Sequence, residues 1–229
     1  MKIICISDTH SLHDQIPSDW LLNPNNEIDT IIHAGDISNM GYLNEIENFC
    51  IWYSQLPFTN KIFCCGNHDF GFETKPKDVA EILKDYPSIT YLQDESVTID
   101  GIKIHCSPQT PYFFNWAFNC ARNQQDSITY KKPLITDYWD KLEDDINVLV
   151  THGPPYGIGD FVPYKGGEFV GCRDLLDVVS TRLPNLKAFI CGHIHYSYGT
   201  VYKNNIPFVN ASTVNEAYSV VNKPIIIEI

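Results

Sequence analysis

Lys2-Ile3-Ile4-Cys5-Ile6-Ser7-Asp8-Thr9-His10 opens the chain with an apolar run that stops at a carboxylate and an imidazole. A short run of this kind reads as a strand buried on both faces. Asp8 and His10 stand two apart, so in extended chain they project to the same side. Thr30–Ala34, Lys61–Cys65, Asn147–Thr151 and Ala188–Gly192 read as buried strands too, and each runs into Asp, Asn or His. The segments concerned are Gly35-Asp36, Gly66-Asn67-His68-Asp69, Thr151-His152-Gly153 and Gly192-His193-Ile194-His195. In open α/β sheets, ligands bind outside the carboxyl ends of the strands. Parallel strands would therefore gather these five loops into one crevice.

Around these strands the pattern is mixed. Gly41–Leu56 carries Leu43, Ile46, Phe49, Ile51 and Trp52 at helical spacing, and Pro76–Tyr86 begins with a proline suited to a first helical turn. Asp137–Ile146 and Cys172–Leu183 also read as helices, the latter stopped by Pro184. Ile89–Leu92, Val97–Ile99 and Ile102–Cys106 are short strands with a hairpin signal at Asp100-Gly101. Gly199–Tyr202, Ile206–Asn210 and Pro224–Ile229 are strand-like as well. The absence of any repeat or linker predicts one α/β domain over residues 1–229, built as two packed, mixed β-sheets flanked by helices.

Acidic residues number 28 and basic residues 16, for a formal net charge of −12. Binding to duplex nucleic acid rests on Lys and Arg neutralising phosphates, so this balance argues against it. No stretch approaches the length of a membrane span, and the first apolar run is too short for a signal peptide, which predicts a cytosolic protein without a membrane partner. The eight cysteines include no C-x-x-C pair, and most sit in apolar runs, so they are read as reduced, buried hydrophobes. Nothing in the sequence sets an oligomeric state.

Asp oxygen and His imidazole together suit Mn, Fe, Zn and similar divalent ions. A carboxylate can bridge two of them, and Asp36 is placed to do so. Glycines before Asp36, Asn67 and His193 permit tight turns and close backbone approach. Each motif alone is weak; the five strand-end motifs together predict a shared metal site.

The ordered set Asp8-x-His10, Gly35-Asp36, Gly66-Asn67-His68-Asp69, His152 and Gly192-His193-x-His195 resembles the calcineurin-like metallophosphoesterase superfamily over nearly the whole chain. Thr151-His152-Gly153-Pro154-Pro155, Gly159-Asp160, Asn115-Trp116-Ala117-Phe118, Arg122 and Asn210-Ala211-Ser212 carry a finer likeness to the metallophosphoesterase-domain-containing brain proteins and their bacterial relatives. The resemblance implies a four-layer sandwich with two divalent ions, Mn foremost and Fe, Zn or Ni as alternatives. It implies one ion on Asp8, His10, Asp36 and His195, and the other on Asp36, Asn67, His152 and His193. A water or hydroxide between the ions would be the nucleophile. His68 would support the transition state and protonate the leaving oxygen, with Asp69 holding its imidazole.

The resemblance also points to a phosphodiesterase acting on small diesters, cyclic nucleotides foremost. A phosphomonoesterase or protein phosphatase using the same site is the alternative. A scaffold that has lost its metals is not expected, because every ligand position is filled. Trp116 is read as a wall of the substrate cleft and Arg122 as a phosphate partner. His33 and His105 are read as structural, and His13 as a surface or substrate-contacting residue.

Overall fold

In the computed structural model, which describes residues 1–23 and 27–229, every strand read from the apolar runs forms. In chain order these are β1 (Lys2–Ile6), β2 (Thr30–His33), β3 (Asn60–Phe63), β4 (Ile89–Tyr91), β5 (Glu95–Ile99), β6 (Ile102–Ser107), β7 (Thr110–Pro111), β8 (Asn119–Cys120), β9 (Val148–Thr151), β10 (Phe161–Val162), β11 (Glu168–Phe169), β12 (Ala188–Cys191), β13 (Gly199–Lys203), β14 (Ile206–Asn210) and β15 (Ile225–Glu228). The α-helices are α1 (Leu43–Ser54), α2 (Phe70–Thr74), α3 (Pro76–Lys84), α4 (Gln124–Tyr130), α5 (Thr136–Trp139) and α6 (Arg173–Thr181).

Two large mixed sheets result. One has the order β15-β1-β2-β3-β4, with β1 to β4 parallel and β15 antiparallel to β1. The other runs β13-β14-β12-β9-β6-β5, parallel from β14 to β6 and antiparallel at both edges. The period-2 alternation of a strand explains why its sequence is apolar throughout. Ile3 and Cys5 of β1 pack with Ile32, Ile62, Val148, Val150, Ala188 and Ile190 in the layer between the sheets. Ile4 and Ile6 point the other way, into a core shared with Ile46, Phe49 and Tyr53 of α1. Leu149 and Phe189 likewise leave the inter-sheet layer and meet Leu175 and Val178 of α6. Helices therefore cover the outer faces of both sheets.

At their carboxyl ends the two sheets are joined. Ser7 forms a parallel bridge with Ser212, and the Thr213 amide donates to the Ser7 carbonyl at 2.8 Å. This contact brings the loops after β1, β2 and β3 against those after β9, β12 and β14.

The helix expected over Asp137–Ile146 is a correction: α5 ends at Trp139. Carbonyls left over at a helix end need donors, and here Arg182 supplies them. Its guanidinium donates to the carbonyls of Trp139, Asp140 and Leu142 at 3.2, 3.2 and 3.4 Å, and to the Asp140 carboxylate at 3.1 Å. All eight cysteines are buried and unpaired, and among the described residues no helix is long and apolar enough to cross a membrane.

Candidate metal centre

The loops after β1 and β2 are zipped together by their backbones. The amides of Asp8, His10 and Ser11 donate to the carbonyls of Gly35, Asp36 and Ile37 at 2.9, 3.0 and 3.1 Å. This pairing requires unusual dihedrals: Asp8, His10, Ser11 and Asp36 all have positive φ, between 42° and 58°, and His193 has φ 67°. Non-glycine residues in that region are uncommon and cluster at functional sites. Gly192 must lack a side chain for a different reason. A Cβ there would strike the Asp8 carboxylate and the Ser7 hydroxyl.

Seven side chains predicted as ligands lie in this crevice. Asp8, His10 and His195 offer ligand atoms within 4.8 Å of one another, as do Asp36, His152 and His193. His195 Nε2 is 3.3 Å from Asp8 Oδ1 and 3.4 Å from His10 Nε2. His152 Nε2 is 3.0 Å from Asn67 Oδ1 and 3.3 Å from Asp36 Oδ2. Asp36 Oδ2 is also 3.7 Å from His10 Nε2, so this one oxygen faces both groups. Its other oxygen accepts the His68 amide at 2.8 Å. The Asp8 carboxylate accepts the His193 amide at 3.0 Å and the Ser212 hydroxyl at 2.9 Å.

Hydrogen bonding on the far side of two rings fixes what the near side can be. His152 Nδ1 meets the Ala34 carbonyl at 2.9 Å, and His195 Nδ1 meets the Asn215 carbonyl at 3.1 Å. A carbonyl only accepts, so both Nδ1 atoms carry hydrogen. In neutral rings both Nε2 atoms are then lone pairs facing carboxylate oxygens, an arrangement that calls for a cation. The same demand appears in the titration behaviour. Burial alone would raise the Asp8 carboxyl, but the hydrogen bond and charge of His195, with His152 and His10, hold it well below the carboxylate range. Burial also opposes the Asp36 charge, and His152, His10 and His68 overcome it and hold the group far down. Burial lowers His152, yet Asp36 and Asp8 push it up to about 9. His195 is raised for the same kind of reason, by Asp8 against burial. His10 and His193 go down to about 4 and about 3, chiefly through burial, which keeps their rings neutral and able to ligate. The donor set of carboxylate, amide oxygen and neutral imidazole fits divalent transition ions.

His68 sits beside this cluster, its ring edge-on to His10 at 4.7 Å and stacked on Trp116 at 4.2 Å. Asp69 does not hold that ring, which corrects the expectation. The Asp69 carboxylate turns inward and accepts the amides of Gly66, Ser38 and Ile37 and the Ser38 hydroxyl, at 2.8, 3.0, 3.3 and 2.6 Å. Four donors are more than an imidazole could offer, so Asp69 ties the loop after β3 to the loop after β2. The partner of His68 Nδ1 is the Asn39 carbonyl at 2.8 Å. Glu45, in the first turn of α1, steadies that loop by accepting the amides of Asn39, Met40 and Tyr42 and the Ser11 hydroxyl. Backbone carbonyls carry no sequence signal, so the parts played by Asn39, Ala34 and Asn215 were not legible in the sequence.

The cleft above the cluster has a volume of about 290 Å³ and is walled by Phe113, Trp116, Val162, Tyr196 and Tyr218. Trp116 stands where the sequence put it. Arg122 does not: it is exposed and absent from the cleft lining. Beyond β8 the chain turns away, with the Ala121 amide donating to the Pro133 carbonyl. His13 is also elsewhere, almost fully buried between Phe49 and Trp52. His33 is a buried structural histidine as read. It accepts the Gly35 amide at Nδ1 (3.2 Å), so its Nε2 hydrogen goes to Thr9 Oγ1 at 3.0 Å. His105 of β6 pairs with the Ser96 hydroxyl of β5 at 2.9 Å.

A family model described as calcineurin-like phosphoesterase matches residues 1–197. Metallophosphoesterase domain-containing protein 1 of Homo sapiens is 34% identical over 251 residues, spanning all of this chain and 71% of that protein. A UPF0046 protein of Caenorhabditis elegans is 32% identical over 238 residues, spanning 99% of this chain and 74% of its own. A solved structure from Thermus thermophilus shares the fold at a TM-score of 0.62, with 13% identity and 91% and 88% of the two chains covered.

Proposed function

Because the chain belongs to the calcineurin-like phosphoesterase family, we propose that it is a metal-dependent phosphodiesterase acting on small phosphodiesters, with cyclic nucleotides foremost. The observation that carries this reading is the convergence of imidazoles and carboxylates in one crevice, where Asp36 Oδ2 faces both His10 and His152. Asp8, His10, Asp36 and His195 would hold one divalent ion, and Asp36, Asn67, His152 and His193 the other, with Mn the first choice. Bound there, such ions supply Lewis acidity that offsets phosphoryl charge and lowers the pKa of water. Asp36 is held as a carboxylate, and Ala34 and Asn215 keep the Nε2 lone pairs of His152 and His195 turned inward.

In the hydrolysis itself, a water oxygen forms the new bond to phosphorus and gives up a proton, one ester P–O bond breaks, and the departing oxygen takes up a proton. His68 lines the cleft with Nδ1 tied to Asn39, which leaves Nε2 as the atom that passes that proton. Trp116 stacks on His68 and walls the same side, where a planar leaving group would lie. The acidic balance of the chain fits small substrates better than a nucleic-acid polymer.

The direct test compares bis-p-nitrophenyl phosphate with p-nitrophenyl phosphate, both assayed on Mn²⁺-loaded protein. The proposal expects faster turnover of the diester. A clear preference for the monoester would replace it with the phosphomonoesterase reading.

A further inference from the structure

We propose that the cleft selects substrates carrying a single phosphate next to a planar apolar group, and that Glu216 rejects those carrying a second phosphate; this rests on the phosphodiesterase reading and names its substrate class. Among the described residues no Lys or Arg lines the cleft. Proteins that grip a second phosphate do so with Arg or Lys, which supply charge and several donors at once. Here the only positive charge near a bound phosphoryl group would be at the floor, where the histidines and carboxylates converge. A second phosphate must then lie along walls made of Phe113, Trp116, Val162, Ile194, Tyr196 and Tyr218.

Aromatic rings form a chain through the centre: Tyr218 packs on His10, His10 on His68 and His68 on Trp116, at ring separations of 4.8, 4.7 and 4.2 Å. Phe113, Tyr196 and Tyr218 are each about half exposed, 52%, 47% and 45%, although they are large and apolar. Half-exposed rings around a cleft of about 290 Å³ suit one flat group bound by stacking.

Among the described residues, Glu216 stands in the same lining as the one acid outside the floor. Its position is built rather than accidental. Asn215 closes the turn by accepting the Ala217 and Ser219 amides on Oδ1, at 3.0 and 2.9 Å, while its carbonyl holds His195. That turn presents Glu216 and Tyr218 to the cleft together. A carboxylate there adds like-charge repulsion to the lack of a cation, and discrimination by repulsion is an efficient source of specificity. The whole chain, at −12, acts in the same direction on a polyanion approaching from solvent.

The test measures binding, so that turnover does not enter it. Adenosine 3′-monophosphate and adenosine 3′,5′-bisphosphate are titrated calorimetrically into Mn²⁺-loaded protein, wild type and the variants Glu216→Gln and Glu216→Lys. These variants leave the turn intact, because Asn215 closes it. The expected result is about tenfold tighter binding of the monophosphate by the wild type. The gap should narrow in Glu216→Gln and fall below about threefold in Glu216→Lys, through a gain in bisphosphate affinity. Equal binding of the two nucleotides by the wild type overturns the proposal, as does a gap unchanged in both variants or a failure of either nucleotide to bind. The diester assay is run beside it. Loss of that activity with the binding gap preserved would remove the catalytic reading and leave the selectivity standing.

Discussion

The His68 imidazole is positioned by a carbonyl, not by a carboxylate, and this decides how it can act. With Nδ1 donating to Asn39 and one face covered by Trp116, only Nε2 is left for a substrate. A proton delivered from there matters when the departing oxygen is a poor leaving group, such as a ribose alkoxide, and matters little for p-nitrophenolate. General-acid assistance is worth about 10²–10⁴-fold. His68→Ala is therefore expected to keep its metal content and lose a factor in that range in kcat on a cyclic nucleotide, but far less on bis-p-nitrophenyl phosphate. Steady-state kinetics on both substrates, with elemental analysis, checks this; equal losses on the two would assign His68 to charge stabilisation instead. At this scale the sequence was informative about the side chains and silent about the backbone. That Asp8, His10, Asp36, Asn67, His152, His193 and His195 come together in one crevice could be read, because strand ends concentrate them. Asp69 was misread because adjacency to His68 suggested a partner, whereas the loop after β2 needed its oxygens more. Arg122 was misread because its charge said nothing of the direction the chain takes after β8.

Among the elements, the strands were the most legible, since burial on both faces demands the continuous apolar runs that mark them. Boundaries shifted by one or two residues where the runs meet the loops, as at β3 and β9. The helix over Asp137–Ile146 failed because its limit is set by Arg182, more than forty residues away in sequence. No local pattern contains that information. Short elements such as α2 and the paired β7 and β8 also escaped notice, because they owe their form to neighbours and not to periodicity. The strands that carry ligands depend on the layer between the sheets. Ile190 of β12 is fully buried there, two residues before Gly192. Ile190→Ala should cost about 2–5 kcal/mol in denaturant unfolding, from lost burial and the cavity left behind. A loss below about 1 kcal/mol would mean that the layer closes over the gap and contributes less than its burial suggests.

For the molecule as a whole, the architecture follows from joining two sheets at their carboxyl edges. Ser7 with Ser212, and His152 with Ala34, tie one sheet to the other at the place where seven candidate ligands meet. Five of these seven are almost fully buried, Asp8, His10, Asp36, Asn67 and His152, so the fold holds two buried carboxylates whose charge is met, among the described residues, only by the neighbouring imidazoles of His152 and His195. Two cations would meet that need, and Asp36, facing both groups through one oxygen, is where they would be coupled. The measurement that bears on this most directly is calorimetric titration of Mn²⁺ into chelator-stripped protein, wild type beside Asp36→Asn. Two equivalents are expected to bind the wild type, and both are expected to weaken in Asp36→Asn, because the shared charge is removed while the side chain keeps its size. Binding of no ion by the wild type, or two undiminished equivalents in Asp36→Asn, would contradict a dinuclear centre bridged by Asp36.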